Sequence, residues 1–323
     1  PAEESEWFEP VITDGYLPYV KHVTFKPKSL NKEEIDIDKL LQDASPKGSE
    51  AAPYNLANPG QIIAPASATI KCTANCYIDA PGYYILPLVY GNAYHNFQPN
   101  ENAYKYTGSY TGDQILSTFK DYLGYDITSP DIQDLTKTEY TPRSAFLIWQ
   151  DENNLIPYTV HNPTNDIKYL PDAYGGKGGI LFRVEKGNIK QGNAVIGVST
   201  GTKEAGTTTI PSVMWSWHIW VTPYAKVLDG TGKNGYIYDF GGYTWMDRNL
   251  GALNVFREDN NRNLYYQWGR KDPFYDTGKT TVTGTSLSSA NKGTALNIDE
   301  SIKCPTVFFT HQSTTGTWHG GTA

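Results

Sequence analysis

The sequence predicts a mainly β protein: an Ig-like β-sandwich with one short helix, followed by a smaller β-rich or α+β domain. Three observations carry this expectation. Residues 214–222 (MWSWHIWVT) set three Trp within six positions, among Ile and Val, and aromatic and β-branched side chains suit a pleated surface. Short apolar runs recur between turn residues, giving at least six strands and one helix before residue 225. With 30 Gly, 20 Pro and 24 Tyr against 11 Phe in 323 residues, the composition is that of a turn-rich β chain.

Side chains alternate along a strand, so Trp215, Trp217, Ile219 and Val221 share one face of the 214–222 stretch. Ser216, His218, Trp220 and Thr222 share the other. Trp on both faces predicts a central strand between two apolar layers, and Pro223 ends it because proline cannot donate to a ladder. Trp215 and Trp217 are assigned to the core on this ground, and His218 to packing.

Upstream, residues 1–30 mix aromatics with Pro, and residues 22–25 read as a strand expected to pair with the sandwich of this chain or of a neighbouring one. Asn31 with Glu34 suits a helix cap ahead of Leu40 and Leu41, although Ile35 and Ile37 alternate as in a strand. Residues 45–66 carry four Pro and read as a strap over a surface. Residues 70–78 and 83–89 are strands, with residues 79–82 (DAPG) as a hairpin turn between them. Thr111 and Gln114 cap a helix whose apolar face is Ile115, Leu116, Phe119, Tyr122 and Leu123, stopped by Gly124. Residues 145–149, 155–160, 180–184 and 193–199 complete the first set of strands, with the glycine run 175–179 as a hairpin tip. No Gly-Lys-Ser/Thr follows that run and no helix opens after it, which argues against a phosphate loop.

The chain is thus divided into an N-terminal strap, 1–66, a sandwich, 67–225, and a second domain, 226–323, with the boundary at the Gly-rich junction 229–235. In the second domain, 236–246, 264–274 and 304–309 carry the aromatic and apolar runs. No internal repeat of fixed period is found.

These residues also carry a family resemblance. TANCYIDAPGYYILPLVYGNA (73–93), GNAVIGV (192–198) and MWSWHIWVT (214–222) resemble the first unit of fimbrillin-related surface proteins of Bacteroides-type bacteria. TWMDRNLGA (244–252) and LYYQWGRKDPF (264–274) resemble the paralogous domain named for Fibrobacter succinogenes major proteins. The likeness spans most of residues 67–310. It implies export, a cell-surface or pilus-associated location and a role in adhesion, binding surface glycan or protein. It brings no catalytic residue. That domain usually continues with a Cys-Pro…Gly-Trp-Arg-like segment that does not occur before Ala323, so a truncated domain is expected. The start at Pro1, without a charged-then-apolar leader, is read as a mature or trimmed product.

Charge and chemistry narrow the function further. A net charge of −7 and a pI near 5.4 disfavour nucleic acid and anionic membranes, and no run is long enough to span a bilayer. The six His are scattered, so no metal is expected; 229–235 has the look of a calcium loop but lacks spaced carboxylates and a closing Glu. No cofactor is expected. Cys72 and Cys76 lie roughly 13 Å apart on a straight strand, too far for a disulfide without a turn; pairing of either with Cys304, or buried free thiols, stays open. Ser216 and His218 sit about 7 Å apart on one strand face, beyond a direct hydrogen bond. Asp247-Arg248 reads as a structural ion pair, with Arg270 as a further counterpart, and Asp239, Asp247, Glu258 and Asp259 are the carboxylates considered for a glycosidase. Tyr94, Phe97, Tyr104, Tyr106 and Tyr110 crowd an Asn-rich loop poor in aliphatics and are the candidate ligand-binding residues. The expected function is non-enzymatic binding. The rivals are a secreted glycan-active enzyme and a structural subunit that assembles by strand addition.

Overall fold

The computed structural model describes residues 8–14, 21–27, 36–72, 76–105, 119–158, 166–203, 209–223, 237–240, 243–246, 248–253, 264–267, 270–278, 280–291 and 298–310. The chain divides into two units, residues 1–36 and 37–323. In the first, β1 (Phe8–Asp14) and β2 (Lys21–Pro27) pair antiparallel, with Ile12 opposite Val23. The strand expected at 22–25 is present, but its partner is β1, in a sheet of two strands, and not an edge of the sandwich.

The second unit opens with α1 (Ile37–Asp43), which buries Leu41 fully and leaves Leu40 48 % exposed, so one leucine of the pair faces the core. The strap supplies β3 (Tyr54–Asn55) and buries Leu56 and Ala57 behind it. Then follow β4 (Tyr77–Ile78), β5 (Gly82–Pro87) and the small hairpin β6 (Tyr94–His95) and β7 (Gln98–Pro99). The long strands are β8 (Ser144–Gln150), β10 (Gly179–Val184), β11 (Gly192–Ser199) and β12 (Trp215–Val221), with the short β9 (Lys168–Leu170) after β8. The C-terminal part adds the hairpin β13 (Ile237–Phe240) and β14 (Tyr243–Met246), then β15 (Tyr265–Tyr266), β16 (Pro273–Phe274), β17 (Thr283–Gly284), β18 (Ser288–Asn291), α2 (Ile298–Lys303) and β19 (Val307–Thr310).

Two sheets dominate: β3-β5-β10-β9 and β17-β8-β11-β12-β4. They enclose one core, with Tyr84, Leu86 and Phe182 from the first sheet and Leu147, Ile196 and Ile219 from the second. The fold is mainly β. Alternate residues of β8 and β11 point the other way, so Phe146, Ile148 and Val195 form a second apolar cluster with Val213, Leu264 and Tyr275. The five-stranded sheet is therefore apolar on both faces, as two-faced burial requires of a strand such as SAFLIWQ. A register shift between Val195 and Ile196 breaks the alternation and turns Trp149 to the second cluster, where its ring meets Tyr275 at 5.3 Å.

The boundary expected at 229–235 falls on residues outside those described; residues 37–323 group as one compact unit. Leu264 and Tyr275 cover the outer sheet face, and β17 pairs with Gln150 and Trp149 of β8. A sheet apolar on both faces cannot stop at residue 225 without leaving that face bare. Other expectations are corrected. The turn at 79–82 joins strands of different sheets rather than a hairpin, because the strap occupies the position beside β5: Lys47 N–H donates to the Pro81 carbonyl (2.8 Å) and Tyr83 N–H to that of Lys47 (2.9 Å). Of the helix expected after Thr111, residues 111–118 lie outside those described, and residues 119–124 form a turn. Asp121 causes it: its Oδ1 accepts the N–H groups of Leu123 (2.8 Å) and Tyr125 (2.9 Å), offering the backbone an alternative to helix. The strand expected at 155–160 is a bend where described, with Ile156 N–H bound by Gln150 Oε1 at 2.8 Å in place of a ladder partner. The glycine run 175–179 does lie in the β9–β10 hairpin connection. No disulfide joins Cys72, Cys76 and Cys304, and burial pushes the Cys76 thiol up to about 12. Among the described residues no helix is long and apolar enough to cross a membrane, and no three His, Cys, Asp or Glu converge as metal ligands.

Candidate functional site

The start of β12 opens onto a cleft of about 270 Å³. Trp215 is half-buried there, because it is the first residue of the strand and the core ends beneath it. Tyr90, in the loop after β5, meets the Trp215 ring edge-on at 4.9 Å. Tyr104 closes one wall at 2 % exposure, and Phe119, freed from the expected helix by the Asp121 turn, stands 50 % exposed at the mouth. Ile302 of α2 adds an apolar floor. Such a cavity, apolar with a few polar groups, has the make-up of a small-ligand site.

The polar groups come from residues 270–272. Lys271 lies with its ammonium 4.5 Å from the Trp215 ring centroid, a cation–π contact. It donates to the Ser216 carbonyl (3.1 Å), to the Ser216 hydroxyl and to Asp272 Oδ1 (2.7 Å), which uses all three of its N–H bonds. Ser216 in turn donates to Asp272 Oδ1 at 2.6 Å. Burial pulls Lys271 down from its ordinary range while the Asp272 carboxylate holds it up. Arg270 spreads over the Phe274 and Phe309 rings, 5.1 Å from each centroid. Its guanidinium donates to the carbonyls of Ser301 (3.0 Å), Cys304 (3.0 Å) and Val307, so it caps the C-terminal end of α2, where a cation is favoured.

A second, polar cleft of about 400 Å³ adjoins the first, sharing Tyr90 and Ile127, and four aspartates line it. Each carboxylate is already engaged. Asp121 Oδ2 accepts the Tyr140 hydroxyl (2.5 Å), and Asp126 pairs with Lys120. Asp131 accepts from Lys177 (2.5 Å) and from the Tyr94 hydroxyl (3.0 Å). Asp134 accepts the Thr136 hydroxyl (2.6 Å) and N–H (3.0 Å), which holds its pKa below the usual carboxylate range.

The residues singled out from the sequence scatter around this region. Tyr104 lines the aromatic cleft. Tyr94 is buried, its hydroxyl tied to Asp131 and to Lys177 (2.8 Å), and it lines a third, open depression with His95 and Asn100. Phe97 is exposed at the β6–β7 turn, with φ of 65°. Tyr106 and Tyr110 lie outside the described residues, as does Asp247. Arg248 donates to the Leu253 carbonyl at 2.9 Å. Trp217 is core as expected, whereas Trp215, also assigned to the core, lines the cleft. Ser216 and His218 do not meet: His218 Nε2 donates to Asn193 Oδ1 (2.9 Å), and Asn193 Nδ2 donates to Asp151 Oδ2 (3.0 Å) and the Gly251 carbonyl (3.0 Å). Burial lowers the His218 pKa to about 4, so the ring is neutral.

Lys271 and Asp272 were passed over in the sequence, where a charged pair reads as solvated surface. Their one signal was the placement of Arg-Lys-Asp directly between aromatic runs at 264–268 and Phe274. No protein-family model, no curated protein and no solved structure matches this chain.

Proposed function

We propose that this chain is a non-enzymatic cell-surface binding protein that recognises a glycan through the aromatic cleft beside β12. The supporting observation is the cleft itself, where the half-exposed Phe119 ring stands over apolar walls and the polar groups of residues 270–272. Aromatic faces pack against the C–H faces of sugars, and a few fixed polar groups set orientation. The Ser216–Lys271–Asp272 grouping in the cleft is closed on itself. The Lys271 ammonium points its protons at the Ser216 oxygen and is not a base for it. Export and adhesion rest on the resemblance to fimbrillin-related surface proteins, with pilus or surface subunits as further partners.

A second reading, a secreted glycan-active enzyme, is favoured by one observation: four aspartates line the adjoining polar cleft. Glycosidases need one carboxyl held protonated and a second placed across the scissile bond. The Thr136 hydroxyl and N–H hold the Asp134 pKa down, which weighs against that residue as the acid, and Asp121, Asp126 and Asp131 are already engaged by Tyr140, Lys120 and Lys177. Incubation of the purified chain with polysaccharide panels separates the readings. Retention without new reducing ends is expected, weakened roughly five- to tenfold by Phe119→Ala. Release of reducing ends, abolished by Asp131→Asn, would replace the binding reading with the enzymatic one.

A further inference from the structure

We infer that the aromatic cleft takes an acidic sugar residue, a uronate or sialate, with its carboxylate held by Arg270. This rests on the glycan-binding reading and names its ligand class. Three cations line the cleft, Lys120, Arg270 and Lys271, against one carboxylate, Asp272. Two of those cations have partners of opposite charge. Lys120 pairs with Asp126, and Lys271 with Asp272 at 2.7 Å. Arg270 does not: each of its hydrogen bonds runs to a backbone carbonyl. Carbonyl dipoles solvate a guanidinium without neutralising it, so the cleft keeps one positive charge more than it balances.

That excess is notable on a chain of net charge −7. The guanidinium is half-buried, and burial lowers its pKa from the ordinary value while Asp272 raises it. A half-buried charge without an acidic partner is costly, and an incoming anion reduces the cost. The geometry leaves Arg270 the means to hold one. A guanidinium has five N–H donors; one on Nη1 and both on Nη2 reach carbonyls, which leaves Nε–H and the second Nη1–H without a partner among the described residues. The two diverge, because both carbonyl-bound hydrogens on Nη2 occupy its two-donor edges, so either one offers a carboxylate oxygen a single charge-assisted hydrogen bond.

Lys271 has no donor to spare, and its role is to keep Asp272 neutralised so that this carboxylate does not repel the ligand. The volume, about 270 Å³, is below that of sites for drug-sized molecules, roughly 300–1,000 Å³, and suits a single sugar ring. The ring carbons would lie on Phe119 and the carboxylate at the inner, cationic end.

The test uses the whole chain and two matched ligands, oligogalacturonate and its methyl ester, with isothermal titration at low and high salt. The ester keeps every group of the sugar except the charge. Binding of the acid at least about tenfold tighter than the ester, with the preference reduced by salt, is the expected result. Arg270→Gln is expected to abolish the preference while the weaker binding of the ester persists; melting curves establish that the variant folds, and if it does not, the acid–ester comparison decides alone. Sialyllactose against lactose extends the comparison to a sialate. Equal affinity for acid and ester, both lost in Phe119→Ala, would overturn the acidic-sugar inference and leave the glycan reading standing. Absence of binding to any sugar, charged or neutral, would overturn both.

Discussion

Acidification should destabilise this protein before its carboxylates begin to protonate, and His218 is the cause. The imidazole sits on β12 with Nε2 donating to Asn193 Oδ1, and Asn193 is fixed by Asp151 and the Gly251 carbonyl. Burial lowers its pKa from 6.5 to about 4. Between those values the unfolded chain holds a proton on this group that the folded chain does not. Stability therefore rises with pH across the window, is complete above about pH 6.5, and is lost as pH falls toward 4. A fall of that size is worth at most about 3 kcal/mol, and the part-exposure of the ring trims it to about 2. Urea unfolding at pH 7.5, 6.5, 5.5 and 4.5 measures it, with His218→Gln as the comparison because the glutamine amide nitrogen can take the place of Nε2 as donor to Asn193. The variant should lose less stability than the wild type between pH 6.5 and 4.5, and the difference cancels every other titrating group. Parallel stability curves for the two proteins would refute the argument.

Two further outcomes test the fold. Gly82→Ala should cost about 2–4 kcal/mol or prevent folding, since φ there is +147° and an added Cβ would overlap the Lys47 carbonyl; chemical denaturation reads the loss, and a cost under 1 kcal/mol would contradict the corner described at 79–82. A chain cut to residues 37–225 should bind a hydrophobic dye and melt well below the full chain, because Phe146, Ile148 and Val195 lose Leu264 and Tyr275; an unchanged melting temperature would favour the boundary at 229–235.

The strands with strong period-two or continuous apolar signals were legible almost to the residue. β8, β10, β11 and β12 lie where SAFLIWQ, GILFRV, GNAVIGVS and WSWHIWV place them. Their partners were not legible, because pairing depends on which distant segment covers an edge or a face. The DAPG turn has the composition of a hairpin, and only the strap at Lys47 makes it a corner. The helix after Thr111 has sound periodicity at 119–123, and one side chain, Asp121, diverts that end by taking two backbone N–H groups. Of the aromatic residues singled out at 94–110, Tyr104 lines the cleft. Trp215 was hidden by its neighbours, since a Trp at the end of an apolar strand looks like core. Arg270, Lys271 and Asp272 reach the cleft through a sequence separation of more than 50 residues from Ser216, which no local pattern encodes.

The pairing of β17 with β8 has a consequence for the order in which the protein is made. Thr281 donates to the Asp151 carbonyl across 130 residues, and Thr283 accepts from the Gln150 side chain across 133. A nascent chain can complete the inner core of the two sheets long before those residues leave the ribosome. Until they arrive, the outer face of β8 and β11 stands bare, with Phe146, Ile148 and Val195 open to water or to another copy. Long-range pairing of this kind is slow to close and exposes the intermediate to aggregation. Dye binding by the 37–225 chain would be a static picture of that intermediate, on which the last third of the sequence acts as a late-arriving cover.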